Sequence, residues 1–513
     1  METRAGGATI AAVGVAAAPG RRWTLVAVCA TTFMLLVDVT IVNVALPSVQ
    51  RALHASLTGL QWTVDAYAIT LAALILTAGA LADRYGRRLV FAVGVALFSL
   101  ASLLCGIAWN IATLDAARAL QGLGGAALFA TALALIGAEY QGAERGSAIA
   151  IWGATVGVAV AAGPLIGGIL TDALSWRWIF FVNVPVGAFA LAVAVTKLHE
   201  SRDPNATRTD ALGLVTFSAA LVLIVLGLLR GNSVGWSSGQ IVGSLVGGLA
   251  LLAAFVAIEK RQERPMLDVS LFRRRAFVGV QLATFCIGGG MFALFPFLSI
   301  YLQDIDGNSP LGAGIRFLPI TAFVFFVPLA TRNLAQRTAM WLLLTVSFAI
   351  TAAGVLLMEI VSVGSSWTVL LPGFVVSGIG IGLANPTIAA AALRVVDPAR
   401  TGMASGVSNT CRLSGLAVGV AALGAILQDR VGAHLASAGF AGKANAAAVS
   451  SSGLRAAAGR PAFAHAANAA FVSGFRVVLL AGFAAVAVGA AASALLVRER
   501  PAKAPEPALD AVA

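Results

Sequence analysis

Of 513 residues, 59% are hydrophobic and 11% are charged, where a soluble domain carries roughly a quarter charged. A chain this apolar cannot hide its surface around soluble cores, so a soluble enzyme or binding module is excluded. The net charge of +12 raises nucleic acid as a partner, but the cations sit in short segments between apolar runs, as bilayer orientation requires; no nucleic-acid role is expected.

Apolar stretches of about 20 residues, each long enough to cross a hydrocarbon layer of about 30 Å, recur along the chain. Two-residue alternation of the β-barrel kind is absent, so the expected class is an all-α integral membrane protein whose helices satisfy their own backbone groups. Residues 1–22 carry Arg4, an Ala/Gly/Val run and Ala16 to Ala18, the outline of a leader. The run lacks Leu and Phe and abuts Arg21-Arg22, so residues 1–23 read instead as a cytoplasmic tail. Fourteen spans are predicted, at 24–48, 60–82, 89–109, 112–137, 147–171, 179–198, 211–230, 240–259, 276–302, 311–330, 339–358, 367–393, 402–427 and 475–497. An even number places both termini on one side. Of the 34 Lys and Arg, 23 fall on the terminal side and 9 on the other, with Arg118 and Arg412 inside spans. This bias predicts cytoplasmic termini and a multi-pass protein of the cell inner membrane.

The ends of spans 5 and 13 echo each other, as Gly167-Gly168-Ile169-Leu170 and Gly424-Ala425-Ile426-Leu427. A parallel repeat of six-helix halves is one transporter plan. It divides the chain into an N-terminal bundle at 24–198, an inserted helix pair with linkers at 199–275, and a C-terminal bundle at 276–497, followed by a tail at 498–513. The C-terminal bundle contains a long Ala-, Gly- and Ser-rich extracytoplasmic loop, 428–474, with no assignable role.

Ionisable groups inside spans carry the information, because each is costly there unless paired or hydrated. Asp38 lies mid-span in LLVDVTIVNVALP and is a candidate to take up and release a proton; a purely structural carboxylate is the competing reading. Asp65, in QWTVDAYAIT near the outer end of span 2, can face the same cavity or be a solvated interfacial acid. The loop after span 2, GALADRYGRRLVF, pairs Gly79 and Asp83 with Arg84, Arg87 and Arg88, which by charge alone is an ordinary cytoplasmic loop. In span 4, Arg118, Gln121 and Gly122 share one helix face, and Asp115 stands three residues before Arg118 as a candidate partner. Span 5 carries Gly153, Gly157, Gly163, Pro164, Gly167 and Gly168, a smooth face with a kink that suits either close packing or a moving interface. Arg412, beside Asn409 in span 13, can anchor an anion or bridge helix carbonyls. Tyr67, Phe292, Phe295 and Tyr301 are aromatic residues placed to line a cavity or to face lipid. Four cysteines within spans and four scattered histidines suggest neither a disulfide framework nor a metal site. No Walker-type GxxxxGK[ST] string is present, and the glycines at 122–125 lie within a span.

The string from Gly79 to Arg88 resembles the signature of the major facilitator superfamily between its second and third helices. Arg118-x-x-Gln121-Gly122 and Gly163-Pro164-x-x-Gly167-Gly168 match further strings of that superfamily, the second being its antiporter-type motif. The Asp38-to-Asn43 run, SWRWIFFVNVPVG and Asn409-Thr410-Cys411-Arg412 resemble its fourteen-span drug:proton antiporter family. The resemblance implies two six-helix bundles, two inserted helices and alternating access. It implies proton coupling through Asp38, Asp65 and Arg118, and substrate contacts from Asp38, Asn43, Asp65, Gln121, Asn409 and Arg412. Gly79, Asp83 and Arg87 would belong to the cytoplasmic gate, and Gly163, Pro164, Gly167 and Gly168 to the antiporter kink. The equivalent loop after span 10, PLATRNLAQR, departs from the pattern in having no acidic residue.

The expected function is export of a small amphipathic, drug- or antibiotic-like molecule in exchange for protons. The expectation includes the lipid bilayer as partner, a functional monomer, no cofactor beyond the proton gradient and no enzymatic activity. An exporter of an endogenous metabolite, peptide or siderophore on the same fold, or a non-transporting receptor, are the alternatives.

Overall fold

The computed structural model describes residues 20–55, 57–202, 211–262, 269–331, 334, 338–394, 401–457 and 460–498; most of both predicted tails, half of the PLATRNLAQR string and the side chains of Asn43 and Pro164 lie outside this set. Every described element is helical. In chain order the first are α1 (Gly20–Leu53), α2 (Leu57–Tyr85), α3 (Arg87–Gly106), α4 (Ile111–Glu139), α5 (Gly142–Ala173), α6 (Trp178–Phe181), α7 (Asn183–Lys197), α8 (Ala211–Val234) and α9 (Gly239–Glu259). The second half comprises α10 (Arg275–Gly290), α11 (Phe295–Ile300), α12 (Pro310–Arg316), α13 (Leu318–Ala330), α14 (Met340–Met358), α15 (Leu371–Arg394), α16 (Thr401–Ser437), α17 (Lys443–Ser452) and α18 (Pro461–Leu496). Eleven helices among the described residues are long and apolar enough to cross a membrane, and 212–228 and 318–330 form shorter apolar helices.

Three predicted spans are interrupted where the sequence weakens helical bonding. The ninth breaks after Gly288-Gly289-Gly290 and restarts with Pro296 in the first turn of α11. The tenth breaks at Phe317, with Pro319 in the first turn of α13. Proline fits a first turn because its missing N–H has no intrahelical partner there. The sixth is divided into α6 and α7 at Val182. The segment read as the long loop 428–474 is mostly helix: α16 continues to Ser437, α17 follows, and α18 begins at Pro461. Leu427, Val431 and Leu435 repeat every four residues and bury one face together with Val449, Phe463 and Phe471. Alanine-rich composition favours this helical extension.

Two apolar cores result. One runs from Ala27 to Phe277 with Ala389, Ala404 and Val407, and the other from Val280 to Val497. Both described chain ends reach the same face of the bundle. Arg21 donates to the Glu139 carbonyl at 2.9 Å and pairs with Glu144 at 2.6 Å, which puts the start of α1 beside the end of α4 and the start of α5. Leu496 and Val497 pack on Gly279 near the start of α10, and Leu76 near the end of α2 meets Gly406 near the start of α16. This is the terminal face.

The halves meet along α5. Leu165 contacts Gly314 toward the opposite face, Gly157 abuts Val324 in the middle, and Gly153 lies against Pro386 nearer the terminal face. A side chain at Gly157 would collide with Val324, so glycine is what allows this seam to close. The helix pair α8 and α9 packs outside the first half, with Ser218 of α8 bonded to Thr77 of α2 at 3.0 Å.

Candidate functional site

Arg118 and Asp38 form a salt bridge of 2.5 Å; their side chains are 1% and 0% exposed. The contact is possible because α4 approaches α2 and α3 backbone to backbone. A Cβ on Gly122 would lie 2.6 Å from the Tyr67 carbonyl oxygen, and one on Gly124 would lie 2.6 Å from the Phe98 nitrogen. Arg118 also donates to Gln121 Oε1 at 2.6 Å and, through Nε, to the Thr63 carbonyl at 3.0 Å. Its guanidinium stacks on Tyr67, 4.1 Å from the ring centroid. Gln121 Nε2 donates to Asp38 Oδ1 at 2.9 Å and to Ser102 Oγ at 2.8 Å. Asn183 completes the cage, donating to Asp38 Oδ1 at 3.2 Å and to Ser102 at 3.4 Å. Five helices, α1, α2, α3, α4 and α7, are thus tied to one buried carboxylate–guanidinium pair. Full pairing and hydrogen bonding are what make two buried charges tolerable.

The sequence left Asp115 open as the partner of Arg118. The structure gives that place to Asp38; Asp115 instead accepts from the Thr63 hydroxyl at 2.7 Å. Asp65 is not brought to this cluster. Thr63 and Tyr67, four residues apart, face Arg118, and Asp65 stands two residues from each, about 200° around the helix from Thr63. It shares the other face with Trp62 and with Ile69 and Ala72, which pack on Val225 of α8. Its electrostatic partner there is Arg230 of α8, which stacks on Trp62 at 4.8 Å. Asn183 and Ser102 were not singled out from the sequence. An asparagine inside the apolar run IFFVNVPVG is a signal of the kind that identified Asp38, whereas nothing distinguished Ser102 from other span serines.

At the terminal face, Asp83 and Arg87 pair at 2.8 Å and are nearly buried, with Gly79 buried one turn earlier. Glu200, beyond α7, accepts from the backbone N–H groups of Arg88 and Leu89 at 3.0 and 3.1 Å, so a carboxylate caps the start of α3. Gly86 makes this turn with φ of 121°, and Glu200 fills the space where a Cβ would stand. On α5, Gly163 rests on Thr40 of α1, and Gly167 and Gly168 are buried farther along the helix. The roles read for Asn43 and Pro164 concern side chains outside the described residues.

In the second half, Asn409 reaches across the seam, donating to the Phe129 carbonyl of α4 at 3.3 Å. Arg412 is 7% exposed, and its Nε and Nη1 have no hydrogen-bond partner among the described residues. Phe292 and Phe295 line a narrow pocket at the seam with Gly157, Ile320, Thr321, Val324 and Ile381. Tyr301 lies apart from it, stacked on Phe475 at 5.3 Å.

Two helical cores close on a glycine-lined seam, and one of them holds a buried ion pair. Residues 28–420 match the Major Facilitator Superfamily, and the chain belongs to that family. It is 37% identical over 416 residues to the multidrug resistance protein Stp of Mycobacterium tuberculosis (strain CDC 1551 / Oshkosh), covering 80% of this chain and 77% of the relative. It is 38% identical over 427 residues to the puromycin resistance protein pur8 of Streptomyces alboniger, covering 82% and 84%. Among solved structures, the human organic anion transporter MFSD10 (TETRAN) shares the fold with a TM-score of 0.59 at 15% identity, over 91% of this chain and all of that one.

Proposed function

We propose that this protein is a fourteen-span, proton-coupled exporter of small amphipathic molecules of the drug and antibiotic kind, working by alternating access in the cell inner membrane with both termini cytoplasmic. Helices α5, α8 and the α12–α13 pair supply the three spans beyond the eleven of membrane length. Family membership and relatives whose names record multidrug and puromycin resistance support the export of drugs.

The observation that carries proton coupling is Asp38, fully buried at mid-span and bonded to Arg118, Gln121 and Asn183. In this conformation Asp38 has no solvent access, so a proton reaches it only when the helices around it move. A proton on its carboxylate removes the charge that holds Arg118. Arg118 then keeps Gln121, the Thr63 carbonyl and the Tyr67 face, while the tie between α1 and α4 falls from an ion pair to the neutral bond from Gln121 to Asp38. Because α1 also carries Thr40 against Gly163 of α5, this weakening loosens the helix that forms the seam. Loss of the proton restores the pair and resets the seam. Asp65, against α8, is a second acid on the path of this movement, and Asp83 with Arg87 forms the cytoplasmic latch.

Proteoliposomes carrying an imposed pH gradient test this reading, with puromycin and rhodamine dyes as substrates. The expected result is substrate-triggered proton movement with the native chain and none with Asp38→Asn. Equal movement in both would remove Asp38 from coupling, and drug flux indifferent to the gradient would remove proton coupling altogether.

A further inference from the structure

Arg412 stands where a bound anion would complete the structure. The residue is 7% exposed, and its buried Nε and Nη1 are unpartnered among the described residues. The acids of the second half with resolved contacts lie near the opposite face: Asp306 bonds Asn308, Glu359 bonds Arg476, and Asp304 packs on Gly453. A buried cation without a counter-charge is costly in a membrane interior, and among the described residues no carboxylate pairs with Arg412.

The contacts of α16 fix the direction of this residue. Gly406 faces α2, Leu413 joins the apolar cluster between α2 and α8, and Gly415 and Gly419 lie on α10. Asn409 reaches α4. At 100° per residue, Arg412 falls on the arc between the α4 and α10 contacts, which is the arc toward the seam. Its side chain leans toward the start of its helix, as helical side chains do. On α10, Gln281, Phe285 and Gly288 form one stripe, at i, i+4 and i+7, and Phe285 and Gly288 touch α16. Gln281 therefore lies on the face that α10 presents to α16, two turns toward the terminal face from the point where Gly288 meets the Arg412 backbone. Its amide is 4% exposed, and neither its nitrogen nor its oxygen has a partner among the described residues. Four and seven residues beyond Gly288 in the other direction, past the break that ends α10, are Phe292 and Phe295, the aromatic wall of the seam pocket.

We propose that Arg412, assisted by the Gln281 amide, receives the carboxylate or equivalent oxyanion of the exported molecule, whose apolar ring system lies against Phe292 and Phe295. The substrate class is thus an amphipathic organic anion or zwitterion. This rests on the export reading and narrows it: the proton is handled in the first half by a pair already neutral, and the cargo supplies the missing negative charge in the second.

Rhodamine B, with a free carboxylate, and its ethyl ester, without one, share a ring system and separate the outcomes. Binding is measured by fluorescence polarisation on the full chain in lipid nanodiscs. The native protein is expected to bind the acid about ten- to a hundredfold more tightly than the ester, the range a charge-assisted hydrogen-bonded contact gives. Arg412→Gln is expected to abolish that preference while leaving ester binding in place, which also shows that the variant is folded. Arg412→Lys, which keeps the charge without the fork, is expected to retain part of it. An acid preference unchanged in Arg412→Gln, or no acid binding to the native chain, overturns the proposal. So does chloride or phosphate that displaces the acid at physiological concentration, since the site would then belong to an inorganic ion. The export reading is judged separately by proton movement driven by either rhodamine in proteoliposomes, and can stand when the acid preference fails.

Discussion

Arg118 and Arg412 are both arginines buried in membrane-length helices, one in each half, and their surroundings are opposites. Arg118 meets a carboxylate, a carboxamide, a carbonyl and an aromatic face, and its charge is cancelled within the protein. Arg412 meets glycine-lined backbone and leaves two nitrogens unbonded among the described residues. Both halves bring their helices together on glycines, Gly122 and Gly124 in the first and Gly288, Gly415 and Gly419 in the second. Similar packing therefore carries different chemistry: a closed, self-neutral cage on one side of the seam and an open cation on the other. The lesson is that a buried charge in a transporter is read by what it lacks as much as by what it touches.

The largest expected effect comes from breaking the closed side. Asp38→Asn leaves Arg118 buried and unpaired, a change that costs about 3–5 kcal/mol in known buried pairs. Thermal unfolding in detergent should show that loss together with loss of substrate-driven proton movement. Adding Arg118→Gln to Asp38→Asn should recover much of the stability and none of the transport. Recovery of transport by the double variant would break the assignment of proton chemistry to this half.

Arg412→Gln sharpens the comparison because its stability effect should have the opposite sign. Removing an uncompensated buried cation should leave the unfolding temperature unchanged or raised. A fall as large as that of Asp38→Asn would show that Arg412 has an internal partner after all. The seam itself is tested by Gly157→Val, which forces a side chain into Val324. Overpacking of this kind costs about 1–3 kcal/mol, and drug efflux from intact cells should fall at least about tenfold while the protein still inserts and folds.

Smaller effects are expected at the terminal face. Asp83→Asn removes one charge of a nearly buried pair, worth about 1.5–3 kcal/mol as a charge-assisted bond, and should increase cysteine-labelling accessibility at positions flanking α2. Glu200→Gln keeps an oxygen acceptor for the start of α3 and loses only its charge. The unfolding temperature should move by about one degree or less.

Much of this was legible along the chain. Asp38, Arg118 and Gln121 announced themselves as polar groups inside apolar runs, whereas Asp83 with Arg87 stood out only through the resemblance of their loop to the superfamily signature. Asn183 gave the same kind of signal within its own run, but its convergence on Asp38 from 145 residues away has no local trace. Asp65 illustrates the reverse: its type and depth suggested the same cavity as Asp38, and the rotation of α2 sends it to α8 instead. The 428–474 segment read as a loop because alanine and glycine carry little hydropathy contrast, although its four-residue apolar repeat was sufficient for helix.

Composition and hydropathy by themselves determined a helical membrane protein, because a bilayer leaves no other way to satisfy the backbone of so many apolar spans. They also determined which residues were chemically expensive to bury. The tertiary structure alone decided which of those residues are paid in kind by a partner and which are left open. Pairing depends on helix rotation and on approach distances set by glycines far apart in sequence, and neither is encoded in any single span.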